Sequence, residues 1–269
     1  MLLLGPDDPL LGPDDPPPFD ESNPDGGASV LFTSDHNGAA VPELLDGLGV
    51  VAHEMRRHAA YDIGIDAVAK ILADRFDAPL VISNYSRLVI DCNRHPGATG
   101  SIPPVSDGTV VPSNTVVSDA QRKAREQEIF HPYHAAIGAR IRAMRVRDGG
   151  VGPLIIALHS FTPIIAGVFR PWDIGILWKD DQRLAQPLIE ALATDPAIAV
   201  GDNQPYTGSD PAGYTVDHHV APLKLISIGV EFRQDRIEFQ AGAEEWAGRF
   251  GNALERVLAE RPWEGRPVA

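Results

Sequence analysis

Three apolar runs in this chain each lead into a residue able to bind a metal or move a proton: Ala28–Thr33 into His36, Pro153–Leu158 into His159, and Leu225–Val230 into Glu231. Short apolar runs of this kind read as buried strands. If all three strands point their polar residue toward one sheet edge, the residues converge. Neutral imidazole and carboxylate are donors that zinc accepts, and a catalytic site keeps one position open for water. Two histidines then require a third protein ligand, and Asp62 is the candidate. It follows the His36 loop on a helix predicted over 54–76, with Asp66 one turn further on. Asp35, adjacent to His36, and His58, at i, i+4 spacing from Asp62, compete for the role. Structural alternatives stand beside each assignment: Asp62 could pair with Arg57 or Lys70, and Glu231 with Arg233.

A second cluster is cationic. Arg87, Asn93 and Arg94 flank Leu88–Asp91, which reads as a strand or extended segment. Guanidinium groups grip carboxylates bidentately, so two arginines near a metal suit an acidic or amino-acid substrate. A purely structural pairing of Asp91 with Arg87 or Arg94 is the alternative. Arg170 and Arg233 are further candidate anion-binding residues. A serine nucleophile is disfavoured: neither Ser34 nor Ser160 sits in a Gly-x-Ser-x-Gly elbow, and Ser160 adjoins His159 in a way that suits proton relay poorly. No glycine pattern reads as a phosphate loop.

Positioning these residues needs alternating strands and helices. Leu80–Ser83 and Asp173–Trp178 read as further strands, and 181–193 and 241–260 as helices. Ser118–Gln121 has capping-box character and opens a long helix toward Arg147, which Pro132 should kink or break. The pattern predicts an α/β fold in three layers, with a mixed, mostly parallel central sheet. Ligand sites in such sheets collect at the carboxyl ends of strands.

The chain has 269 residues, 43% of them hydrophobic, enough for a single catalytic domain over residues 28–269. Its net charge of -14 is uneven: residues 1–27 hold seven acids and no Lys or Arg, leaving 30 acids against 23 bases elsewhere. No basic stripe is present, which argues against a nucleic-acid partner. Residues 1–27 carry seven prolines and the repeat Leu-Leu-Gly-Pro-Asp-Asp-Pro at 3–9 and 10–16, and read as a flexible acidic tail. The single cysteine, Cys92, fits a reducing compartment. With no signal-peptide pattern and no apolar run approaching the ~18 residues needed to span a bilayer, a cytoplasmic location is expected.

An ordered set of motifs is similar to one known family. Ser34-Asp-His36-Asn-Gly38 with Val41-Pro42, Tyr61-Asp62-Ile-Gly64, the stretch from Tyr85 to Arg94, Pro132-Tyr133-His134, His159-Ser-Phe-Thr-Pro163, Arg170-Pro-Trp172, Asp202-Asn203-Gln-Pro-Tyr206 and Glu231-Phe-Arg-Gln-Asp235 together resemble the N-formylglutamate amidohydrolases, over roughly residues 30–240. The resemblance implies a fold like that of zinc carboxypeptidases and other phosphorylase/hydrolase-like proteins. It implies one zinc ion held by His36 and His159, with Asp62 at a matching third position. The glutamate that carboxypeptidases place three residues after the first histidine is absent, since Ala39 stands there. Glu231 matches the catalytic glutamate, and Asn93-Arg94 the pair that grips a substrate carboxylate. The implied activity is hydrolysis of N-acyl amino acids such as N-formylglutamate, with Glu231 taking the proton of water. Arg94, Asn93 and Arg87 would orient the substrate, and His134 would contact it or the developing oxyanion. Rival readings are a zinc peptidase or cell-wall amidase on the same site, and a binding protein without catalysis.

Overall fold

The computed structural model describes residues 8–209 and 213–263. In chain order the strands are β1 (Phe19–Ser22), β2 (Val30–Ser34), β3 (Leu80–Ser83), β4 (Val105–Ser106), β5 (Thr109–Val110), β6 (Leu154–Phe161), β7 (Ile164–Ile165), β8 (Val168–Phe169), β9 (Ile174–Leu177), β10 (Val200–Asp202) and β11 (Ser227–Arg233). The α-helices are α1 (Ile65–Phe76), α2 (Asp119–Arg125), α3 (His131–Arg147), α4 (Ala185–Leu192), α5 (Gln234–Ile237) and α6 (Gln240–Glu260).

Seven strands form one sheet in the order β1-β3-β2-β6-β11-β9-β10. Strands β3, β2, β6 and β11 run parallel, whereas β1 and β9 join their neighbours β3 and β11 antiparallel. The expected mixed, mostly parallel sheet is therefore present. β2 and β6 are buried at every position because helices cover both faces, which is why their sequences are continuous apolar runs rather than alternating ones. Along β2, Val30 and Phe32 enter a core shared with α1, α4 and α6, while Leu31 enters a second core shared with α3. Helix α1 turns Ile65, Val68, Ala69, Leu72 and Ala73 inward, the i, i+3, i+4 spacing of one apolar face.

Two local readings hold in detail. Ser118 and Gln121 exchange both capping-box bonds, at 3.0 and 3.2 Å. The interruption expected at Pro132 is a π-helical turn, Glu126–Phe130, immediately before the proline in the first turn of α3. A proline there gives up an N–H that the start of a helix does not need.

Three readings are corrected. Asp62 is not on a helix: residues 54–56 form an isolated 3-10 turn and α1 begins at Ile65, so Asp62 and Asp66 do not share a helical face. Leu88–Asp91 is a buried turn, not a strand; Asn114 Nδ2 and Arg125 Nη1 donate to the carbonyls of Leu88 and Val89, taking the place of a ladder. The acidic segment is not a flexible tail within its described part, residues 8–27, while residues 1–7 lie outside the described residues. Leu10 is buried, the Glu128 carboxylate accepts the N–H groups of Leu10 and Leu11 at 2.7 and 2.9 Å, and Tyr85 donates its hydroxyl to the carbonyl of Pro16. Phe19–Ser22 then adds to the edge of β3, where the stabilising bonds belong to the backbone and leave little mark on side-chain pattern.

Candidate active site

His36 lies in the turn after β2, while His159 and Glu231 face each other as register partners within β6 and β11. The parallel strands run past the expected ends, to Phe161 and Arg233. All three carry their residues toward the same carboxyl edge. The His36 and His159 rings stand 5.0 Å apart, tilted by 60°. Asp62 reaches them because its N–H donates to the carbonyl of His36 at 2.9 Å, folding the approach to α1 back onto the histidine loop. One ligand atom each from His36, Asp62 and His159 then lie within 4.8 Å of one another, all three residues buried.

Gly64 makes that fold-back possible. It precedes α1 at φ +81°, and a Cβ there would lie 2.3 Å from the carbonyl oxygen of Ile237. Gly64→Ala combines a left-handed backbone penalty with a backbone clash and is expected to destabilise the protein by about 3 kcal/mol, read from the denaturant midpoint.

Each imidazole sits between carboxylates. His36 Nδ1 is 3.7 Å from Asp62 Oδ2 and its Nε2 is 2.7 Å from Asp91 Oδ1; His159 Nδ1 is 2.9 Å from the same Asp62 oxygen and its Nε2 is 3.6 Å from Asp35 Oδ2. The two outer carboxylates are themselves fixed. Asp35 accepts the hydroxyls of Tyr133 and Thr215 at 2.8 and 2.7 Å, and Asp91 accepts the N–H of Asn93 and Arg87 Nη2. A carboxylate on the far nitrogen of a histidine sets its tautomer and raises its basicity as a metal ligand. Burial alone would raise the pKa of all three aspartates, yet the imidazoles, joined at Asp91 by Arg87, hold them below the usual carboxylate range. At the imidazoles burial lowers the pKa, with Arg87 adding to it at His36, but the facing carboxylates outweigh this and raise both His36 and His159. Glu231 goes the other way. Burial, with the negative charge of Asp62 added, pushes it up to about 7 against the pull of His159 and His36, and its Oε2 is buried without a hydrogen-bond partner. The site therefore combines a buried cluster that could hold a metal ion with an uncommitted carboxyl group.

The cluster opens into a cavity of about 540 Å³ whose lining also includes Arg87, Asn93 and Arg94, with Trp178, Lys179 and Tyr206 among its other walls. Three predicted residues do not line it. His134 lies behind the site: its Nε2 donates to the carbonyl of Cys92 at 2.8 Å, its Nδ1 accepts from His219 Nε2 at 3.1 Å, and burial lowers its pKa to about 4. Arg233 is spent on structure, paired with Asp173 and Asp235 and donating to the carbonyls of Pro171 and Trp172. Arg170 is buried and donates to the Tyr206 hydroxyl. Of the rival ligands, His58 pairs with Asp107 at 2.8 Å, away from the cluster, and Asp35 lies on the far side of His159. Both serine hydroxyls are occupied, Ser34 donating to the carbonyl of Leu158 and Ser160 to that of Ile63.

Sequence reasoning missed the two outer carboxylates as imidazole partners. Asp91 is 55 residues from His36, and nothing local links them. Asp35 was read as a rival ligand beside His36, whereas the strand turn directs it to the other histidine.

The family model of N-formylglutamate amidohydrolase matches residues 28–238. A gene product of Agrobacterium tumefaciens of known structure is 31% identical, with 93% of this chain and 98% of that one covered and a TM-score of 0.88. An N-formylglutamate amidohydrolase from Ralstonia eutropha shares the fold at 20% identity, covering 93% of this chain and 99% of its own, with a TM-score of 0.70. No protein of curated function matches the chain. With the family model matching well over half of its length, the chain belongs to the N-formylglutamate amidohydrolase family.

Proposed function

We propose that this protein hydrolyses the amide bond of small N-acyl amino acids, N-formyl amino acids such as N-formylglutamate foremost, with one zinc ion held by His36, Asp62 and His159. The donor set supports the metal: two imidazoles and a carboxylate converge, and the far nitrogen of each imidazole faces a second carboxylate. Such an ion, when bound, supplies Lewis acidity toward the amide carbonyl and lowers the pKa of water at the site.

The remaining chemistry belongs to side chains. The single observation that carries the reading is Glu231, buried, unpartnered at Oε2 and one strand from His159, with a pKa pushed up to about 7. A carboxyl group poised near neutrality can take a proton from attacking water and pass it to the departing amine nitrogen. Asn93 and Arg94 line the same cavity and are suited to hold the amino-acid carboxylate so that the amide is presented to Glu231. Arg87, tied to Asp91 at 3.2 Å and Asp62 at 3.6 Å, fixes two carboxylates of the cluster and gives the rim positive charge. His134, Arg170 and Arg233 have no direct substrate contact in this scheme.

A cavity of about 540 Å³ has room for more than a formyl amino acid, which keeps short acyl-peptides as a second reading. Zinc analysis of the purified protein, followed by amine release from a panel of N-formyl, N-acetyl and N-succinyl amino acids and short peptides, separates them. Release from none of the N-acyl amino acids sinks the proposal. No helix among the described residues is long and apolar enough to cross a membrane.

A further inference from the structure

Arg170 is aimed at the cavity wall from behind. Its backbone N–H donates to the carbonyl of Pro163 at 2.8 Å, and its guanidinium lies 5.8 Å from the Phe161 ring centroid and 4.9 Å from that of Tyr206. Nη1 donates to the Tyr206 hydroxyl oxygen at 2.9 Å. Arg170 is 6% exposed, whereas Tyr206 is 44% exposed and lines the cavity that contains Glu231 and the ligand cluster. A buried cation thus anchors a ring that faces the opening.

The loop that carries Tyr206 is fixed at a second point. Asn203 Oδ1 accepts the N–H groups of Trp178 and Gly208 at 2.9 and 3.2 Å, pinning the chain on both sides of the tyrosine. Among the described residues no acceptor is recorded for the phenolic proton. An arginine has donors and no acceptor, so a phenol oxygen that receives Arg170 keeps its own hydrogen for another partner, and the cation behind it strengthens that donor. An ordinary phenol, with a pKa of about 10, keeps its proton at neutral pH.

We infer that Tyr206 is a catalytic residue that donates a hydrogen bond to the oxyanion developing from the scissile carbonyl, and that Arg170 is the positioning residue acting through it. The inference rests on reading the site as an amide hydrolase. The proton stays on the phenol throughout. Neutral donors fixed toward a growing negative charge stabilise it without reorganising as it forms.

The test uses zinc-loaded full-length protein and the N-acyl amino acid it hydrolyses best. Tyr206→Phe, which keeps the ring under Arg170, should lower kcat about 100-fold and leave KM within about 3-fold. Arg170→Met should lower kcat about 10-fold in the parent background and cause no further loss in the Tyr206→Phe background, the signature of one residue acting through another. Calorimetry supplies a readout that needs no turnover. Tyr206→Phe should weaken binding of the N-methylphosphonyl analogue, whose tetrahedral phosphoryl group imitates the oxyanion, while affinity for the free product amino acid is retained. Arg170→Lys provides the folding control, keeping a cation behind the ring and recovering part of the activity lost in Arg170→Met. An active parent with an equally active Tyr206→Phe overturns the inference, as does a loss confined to KM, or an Arg170 effect that persists undiminished without the phenol. A parent that hydrolyses no N-acyl amino acid with zinc present overturns instead the reading beneath it.

Discussion

Glu231→Gln should reduce kcat about 1,000-fold while leaving KM for the N-acyl amino acid within a few-fold, because the amide keeps the shape of the carboxyl group and loses its ability to exchange a proton. Steady-state kinetics on the zinc-loaded protein decide it, and a pure binding protein would be indifferent to the change. The same residue dictates a pH dependence. A group pushed up to about 7 is protonated below that pH and cannot act as a base, so kcat/KM should climb along an acidic limb of unit slope. A divalent cation in the adjacent cluster adds positive charge and moves that limb to lower pH.

Stability of the metal-free protein gives the sign independently. Glu231 has a folded-state pKa of about 7 against an ordinary value of 4.5, so between those values the folded chain retains a proton that the unfolded chain has released. Its contribution is fully present below pH 4.5 and is lost as pH rises through about 7. Relative to Glu231→Gln, the parent should lose roughly 3 kcal/mol across this window, read from denaturant midpoints at a series of pH values. Parallel pH profiles for the two proteins would show that the burial of Glu231 has no electrostatic cost.

Chelation is the second large effect. Protein stripped of metal should lose hydrolysis completely and regain it on addition of zinc; undiminished turnover after stripping would end the metal-dependent reading. Two imidazoles raised by their carboxylate neighbours must give up protons to become ligands, so zinc binding should release protons and weaken as pH falls. Isothermal titration in buffers of different ionisation enthalpy counts those protons. Binding to the folded state alone should also stabilise it, by about 4 kcal/mol at a free zinc concentration 1,000 times Kd, which appears as a higher Tm.

The residues that were legible in the sequence share one property: they follow apolar runs. His36, His159 and Glu231 stand out because buried strands leave few places for a titratable side chain. The sheet was legible for the same reason, its central strands being covered on both faces. Asp62 does stand beside the two histidines, though not from a helix as its spacing suggested. Its neighbours have helical spacing, but the left-handed Gly64 starts α1 after it and returns the backbone to His36. Asp91 and Asp35 depend on pairings across the fold that local pattern does not encode. Arginines are the hardest to assign from sequence, because a guanidinium serves an anion, a carbonyl or a ring equally well. Arg94 reaches the cavity, while Arg170 and Arg233 stop in the layer behind it.

The first described strand has a bearing on colloidal behaviour. Leu80–Ser83 is short, apolar and would otherwise present an open row of backbone donors and acceptors, the kind of edge along which separate molecules polymerise. Phe19–Ser22 takes up that row and becomes the edge in its place, with Asp20 exposed and Glu21 paired with Arg140 at 3.1 Å. Pro18 and Pro24 on either side of this short strand, with the charge of Asp20, act as an insulating hem that discourages a further strand from adding.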